Sequence, residues 1–332
     1  DATKATSLTV TGDAGLNITN TGNVKITTFD ASAVTGSASN VTFASANTTT
    51  TASVSITGGA GADTLTGGAT KDTINGGAGA DTLSSGAGVD TLIGGAGNDT
   101  FQFATANLAS TDTITGGAGT DDIELTDAST VVDADFTLAT SIETLTMANE
   151  AHTVTLGTLA AAAGVVTYTG GTGIDTLTLG SGFTNNITIT TADTGDDTYT
   201  FTDYTGTVTV TGGGAAETYT LGAGTESITA GAGIDDFNVA SAAALTSTDV
   251  LTGGAGTDVL NFSAAQTVVD SQLTGVSTVE TITTGDVAMT ITLGAQATEA
   301  GIVTVTLGDA ANTLVMSSHS LATAITGGSG VD

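Results

Sequence analysis

Across 332 residues the chain carries 34 acidic residues against three lysines (Lys4, Lys25 and Lys71) and no arginine, for a formal charge of −31. No basic patch can be assembled from that set, so nucleic acid and anionic membrane surfaces drop out as partners and cations remain. Cysteine and proline are both absent; this removes disulfide and thiolate chemistry and, where about 16 prolines would be ordinary at ~5% usage, suits a backbone threaded through continuous sheet.

Residues 1–57 read as a β-strand-rich solenoid segment, with no basic n-region and no apolar run approaching the ~20 residues of a membrane helix. From Gly58 to Gln102 five nine-residue units lie end to end, GGAGADTLT, GGATKDTIN, GGAGADTLS, SGAGVDTLI and GGAGNDTFQ. The pattern G-G-x-G-x-D-x-U-x sets Asp63, Asp72, Asp81, Asp90 and Asp99 at one spacing, with Leu65, Ile74, Leu83, Leu92 and Phe101 two residues after each. Residues 58–102 are therefore predicted to form a first β-roll.

Residues 103–191 read as a β-rich spacer with isolated repeats at Gly116–Glu124 and Gly170–Thr178, which contribute Asp121 and Asp175. A second, degenerate roll is predicted over 192–261. It opens on a weak relative at Ala192–Thr200 and continues through GGGAAETYT, LGAGTESIT and AGAGIDDFN. Glu217 and Glu226 stand there in place of aspartate before Asp235 restores it, and GGAGTDVLN adds Asp258. Residues 262–332 form a second spacer ending in a truncated repeat at Gly327–Asp332, so a longer parent protein is expected.

A larger duplication overlies the small one. LASTDTITGGAGTDDIEL from Leu108 aligns with LTSTDVLTGGAGTDVLNF from Leu245, and the match runs on through the strands near Val165 and Ile302. One module has been copied, as in repeat arrays. Between repeats, NITIT at Asn186, TVTVT at Thr207, MTITL at Met289 and VTVTL at Val303 alternate threonine with aliphatic residues, the period of a strand. Leu159–Ala163 and Ser241–Leu245 are the only expected helical turns.

The fold class that follows is an all-β, elongated, right-handed parallel β-roll or β-helix solenoid, since parallel crossovers are right-handed. Two units make one 18-residue coil, and coils stack at ~4.8 Å. Asp63, Asp81 and Asp99 then line one edge and Asp72 and Asp90 the other. Neighbouring carboxylates ~5 Å apart repel by about 0.8 kcal/mol even in water. Calcium suits such a ladder, because it takes six to eight oxygens and accepts carbonyls as readily as carboxylates. The predicted metal set is Asp63, Asp72, Asp81, Asp90, Asp99, Asp121, Asp175, Asp235 and Asp258, with the turn glycines Gly59, Gly61, Gly68, Gly77, Gly79, Gly86 and Gly88 bringing carbonyls close.

These units resemble the RTX family, whose GGxGxDxUx nonapeptides form calcium-bound parallel β-rolls in proteins exported by type I secretion. Lys71, Thr70, Ser85, Glu217 and Glu226 depart from its pattern. The stretch from Val10 to Thr50, leading into the first repeats, resembles the C-terminal part of RTX-containing bacterial surface-layer proteins of the Caulobacter type. That resemblance implies a secreted, cell-surface protein that assembles with itself into a calcium-dependent two-dimensional lattice, anchored to lipopolysaccharide only through a region absent here.

Catalysis is not expected. His152 and His319 are the only histidines and read as surface or strand residues. Neither HExxH nor GxSxG occurs. The acidic pairs Asp121-Asp122, Asp196-Asp197 and Asp235-Asp236 are adjacent on strands and so point to opposite faces. An RTX adhesin, a biofilm-matrix protein or a passive secretion module of a larger exoprotein are the alternatives. An ice-ordering face is disfavoured, because the T-x-T pairs show no constant spacing from coil to coil.

Overall fold

Strands of two to eight residues, mostly built as threonine alternating with an aliphatic or aromatic residue, bury the second and leave the first at the surface. In Thr207–Thr211 the two valines are buried and the three threonines exposed. Among the described residues the strands pair in parallel, as between Thr64–Thr66 and Thr82–Ser84 or Thr218–Thr220 and Asp236–Val239. The computed structural model describes residues 5–18, 20, 22–47, 53–104, 106–191 and 194–330. Lys4, the start of the Ala192–Thr200 repeat and the Val331-Asp332 end of the truncated repeat lie outside them.

The chain divides into two compact units, Asp1–Ala148 with Leu159–Tyr168, and Asn149–Thr158 with Thr169–Asp332. Each is an all-β parallel solenoid. In the first, a seven-stranded sheet runs from Ser7–Gly12 to Ala139–Thr140, and the other strands stack alongside. Its register places Phe43, Leu65, Leu83, Phe101, Ile123 and Leu145 in one column, all fully buried. These are the apolar eighth positions of the repeats and their counterparts in neighbouring coils.

In the second unit the matching column is Val154, Leu177, Tyr199, Tyr219, Phe237, Leu260, Ile282 and Val305. Tyr199, Tyr219 and Phe237 stack face to face at 5.3 and 5.4 Å, the offset of successive coils.

Coil length varies. It is 18 residues where repeats run in tandem, but 22 or 23 where a spacer intervenes, as between Asp99 and Asp121 or Asp235 and Asp258. This variation hides a register that the sequence does not display. Thr153, Thr176, Thr198 and Thr218 stack in one row and Thr155, Thr178, Thr200 and Thr220 in the next, so the expectation of unaligned threonines is corrected.

Leu159–Ala163 forms a helix, spanning Thr158–Ala163, with Ala160 and Ala163 buried. Asp133 of the preceding coil caps it, accepting the Leu159 and Ala160 N–H groups at 3.1 and 2.9 Å. Its duplicate, Ala295–Ala300, is capped likewise by Asp270. Ser241–Leu245, expected as helical, is instead a turn held by Ala244 N–H on Ser241 O. No carboxylate caps it, and the segment serves to tuck Ala244 and Leu245 into the core.

Candidate metal centre

Every repeat aspartate points inward. Asp63, Asp72, Asp81, Asp90, Asp99, Asp121, Asp175, Asp235 and Asp258 are at most 1% exposed. Asp81 Oδ1 accepts the Asp63 N–H at 2.7 Å, Asp99 Oδ1 that of Asp81 at 2.8 Å, and Asp121 Oδ1 that of Asp99 at 2.8 Å. Asp72 and Asp90 make the parallel ladder, Asp90 Oδ1 accepting the Asp72 N–H at 2.7 Å. The predicted grouping on two edges is what the register builds.

Repulsion along each ladder is thus partly met by a backbone amide between successive carboxylates. The second oxygen of each carboxylate separates the repeats into two kinds. In the first coil Gly59 and Gly68 donate their N–H groups to Asp63 Oδ2 and Asp72 Oδ2 at 2.6 and 2.5 Å, closing both carboxylates. In the following repeats the equivalent glycines, Gly77, Gly86, Gly95, Gly117, Gly231 and Gly254, are left-handed, with φ between 81° and 119°. Only glycine takes that conformation readily. Their N–H groups do not reach the carboxylate, and Oδ2 of Asp81, Asp90, Asp99, Asp121, Asp235 and Asp258 is buried without a hydrogen bond.

An orphaned buried carboxylate oxygen is costly unless a cation or proton meets it. Burial pushes the Asp81 carboxyl up to about 7, with Asp63 and Asp99 adding to it, and pushes Asp90 and Asp99 up to about 6. Beside Asp81, Asp99, Asp121 and Asp258 the space is defined by the first glycine of the repeat. A methyl group built on Gly76 would overlap Asp81 Oδ2, and one on Gly94 would overlap Asp99 Oδ2 and crowd the Gly116 carbonyl oxygen. Carboxylate and carbonyl oxygens converge where no side chain can stand. Among the described residues no three His, Cys, Asp or Glu side chains group to hold a metal. A cation here must be held by carboxylate oxygens with backbone carbonyls, the donor set of a hard ion.

Gly61, Gly79 and Gly88 occupy the fourth position of their repeats. Gly79 and Gly88 have φ of 121° and 159°, and a methyl on Gly79 would overlap the Gly61 carbonyl oxygen. A methyl on Gly77 or Gly86 would overlap the carbonyl oxygen of Gly59 or Gly68 in the coil before.

In the second unit Asp175 Oδ1 accepts the His152 N–H, and Asp197 Oδ1 that of Asp175. Glu217, Asp235 and Asp258 continue through the Glu217 N–H on Asp235 Oδ1 and the Asp235 N–H on Asp258 Oδ1. The longer glutamates disturb the pattern. Neither oxygen of buried Glu217 accepts a hydrogen bond, and burial beside Asp235 pushes its carboxyl up to about 9.

The sequence profile of the RTX calcium-binding nonapeptide repeat, in four copies, matches residues 55–83, 66–101, 109–126 and 243–264. The chain carries RTX calcium-binding nonapeptide repeats. No curated protein and no solved structure matches it significantly. RTX repeats bind calcium in general, and the buried carboxylate and carbonyl oxygens of this chain fit that ion.

Asp112, Glu143, Asp197, Asp249 and Glu280 also belong to the ladders, though no strong nonapeptide marks them. A signal for four was present: the large duplication keeps Asp112 as Asp249 and Glu143 as Glu280. Asp112 and Asp249 have both oxygens taken by backbone N–H groups, so they act as turn caps. His152, expected as a surface or strand residue, is buried, 2% exposed, and lies just before the strand Thr153–Leu156. His319 is half-buried, its ring nitrogens 3.1 and 2.9 Å from the Thr298 and Thr323 hydroxyls. Among the described residues no helix is long and apolar enough to cross a membrane.

Proposed function

We propose that this chain is a non-catalytic, structural calcium-binding segment of a secreted RTX surface-layer protein, one that assembles with its own copies into a two-dimensional lattice on the bacterial cell surface. The observation that carries the calcium part is the row of buried, unpartnered Oδ2 atoms on Asp81, Asp90, Asp99, Asp121, Asp235 and Asp258. Asp63 and Asp72, closed by glycine amides, and Asp175 are the weaker members of the predicted set. One buried apolar residue per repeat contributes about 1.5–3 kcal/mol, against roughly 1–2 kcal/mol of backbone entropy per ordered residue. The tandem repeats therefore depend on the ion to fold. In a calcium-poor cytoplasm they would remain unfolded and exportable, and fold outside.

The lattice part rests on the resemblance of the stretch from Val10 to Thr50 to surface-layer proteins. Electron microscopy and light scattering of the purified chain, with about millimolar calcium and with chelator, test it. Sheets, tubes or filaments are expected with calcium alone. Monomers that order with calcium and never assemble would replace this reading with an adhesin, a matrix protein or a secretion module. One observation favours a further reading, an ice-ordering face: the in-register double row of threonines from Thr153 to Thr220.

A further inference from the structure

In each unit one ladder of motif aspartates runs on into a coil that contains no nonapeptide. After Asp121 the next coil reads TSIETL, and after Asp258 its duplicate reads STVETI. Glu143 Oε2 nevertheless accepts the Asp121 N–H at 2.9 Å, and Glu280 Oε2 the Asp258 N–H at 2.9 Å. Each glutamate takes the position that a repeat aspartate takes on the coil before it.

The carbonyl is replaced as well. A methyl on Gly94 would meet Asp99 Oδ2 and the carbonyl oxygen of Gly116, the first glycine of the next repeat. A methyl on Gly116 would overlap Asp121 Oδ2 and the carbonyl oxygen of Ser141, and one on Gly253 would overlap Asp258 Oδ2 and that of Thr278. Ser141 and Thr278 are two of only three non-glycine residues with positive φ among the described residues, at 54° and 50°. In a repeat the first glycine precedes its carboxylate by five positions, as Gly116 precedes Asp121; here Ser141 precedes Glu143 by two. The extra methylene of glutamate spans what the shorter loop leaves out.

A separate observation points to a ligand. Asp121 and Asp258 are fully buried, and their Oδ2 atoms, beside these carbonyls, accept no hydrogen bond. We propose that Asp121, the Ser141 carbonyl and Glu143, and likewise Asp258, the Thr278 carbonyl and Glu280, form two further calcium sites, each using a coil without the repeat motif. The proposal rests on the reading that the open repeats bind calcium.

The test is calcium stoichiometry of the full chain, measured with calcium chloride by equilibrium dialysis and native mass spectrometry, with circular dichroism at saturating calcium as the check on folding. Glu143→Gln and Glu280→Gln keep an acceptor for the aspartate N–H, so each is expected to fold and to bind one ion fewer, and the double variant two fewer. Glu143→Asp and Glu280→Asp keep the charge but shorten the reach; each is expected to weaken one site at least tenfold, and they decide the matter if the glutamine variants do not fold. Asp81→Asn, in an open repeat, is the reference. If Asp81→Asn loses an ion while the glutamate variants keep the wild-type number and affinity, the two sites do not exist and the broader reading stands. If the wild-type chain binds no calcium, that broader reading falls with them.

Discussion

Asp63 and Asp81 occupy the same position of the same nonapeptide, yet their carboxylates face opposite needs. Both oxygens of Asp63 accept backbone amides, from Val41 at 2.7 Å and Gly59 at 2.6 Å. An asparagine there would turn its NH2 group onto one of those donors, a buried mismatch costing about 1–3 kcal/mol. At Asp81 only Oδ1 is engaged. Asparagine keeps that contact and removes a buried charge. In chelator at neutral pH, where the repeats are largely unfolded, Asp81→Asn should therefore recover some β signal and Asp63→Asn none. In calcium both variants should melt below the wild type, but only Asp81→Asn should do so with the loss of an ion. Circular dichroism in both conditions, with calcium stoichiometry beside it, checks this, and equal effects of the two variants would show that the two kinds of turn are not distinct.

At the scale of the coil, the 18-residue period of the tandem repeats was legible, because Gly, Asp and the buried apolar residue each recur at fixed offsets. The longer coils were not. Asp99 and Asp121 stack across 22 residues, and nothing in the local sequence states that four extra residues loop out. For the same reason the threonine register was invisible, although each T-x-T pair was readable as strand. Nor could the sequence distinguish closed from open repeats, since that turns on the φ of a glycine present in both. The threonine array has a consequence of its own: Val154, Leu177, Tyr199 and Tyr219 beneath it are fully buried or nearly so, which holds two rows of four threonines on a packed, parallel support. If that face orders water, calcium-loaded chain will inhibit ice recrystallisation, and the double variant T178V/T200V, which keeps shape and removes two central hydroxyls, will lose most of that effect. Ice grains that coarsen at the same rate with and without the chain would leave the array as strand chemistry only.

Over the whole molecule, the charge of −31 divides into acids at the surface and acids in the ladders, and the two respond to different treatments. Salt near 1 M shrinks the screening length to about 3 Å and quiets surface repulsion, but it barely reaches buried groups. Protons and calcium can reach the ladders. Burial raises the carboxyls of Asp90 and Asp99 to about 6 and of Asp81 and Glu226 to about 7 from ordinary values near 4. These groups hold protons more tightly folded than unfolded, so their stabilisation of the metal-free chain is complete below about pH 4 and is lost as pH rises through 6 to 7. In chelator, acidification from about pH 8 to pH 5 should thus recover part of the β signal, whereas 1 M sodium chloride at pH 8 should recover little and calcium all of it. The same protons compete with the ion, so calcium affinity should fall over the same pH window and binding at neutral pH should release protons. A chelated chain restored by sodium chloride as fully as by calcium would mean that bulk repulsion, and not the buried ladders, is what the ion relieves.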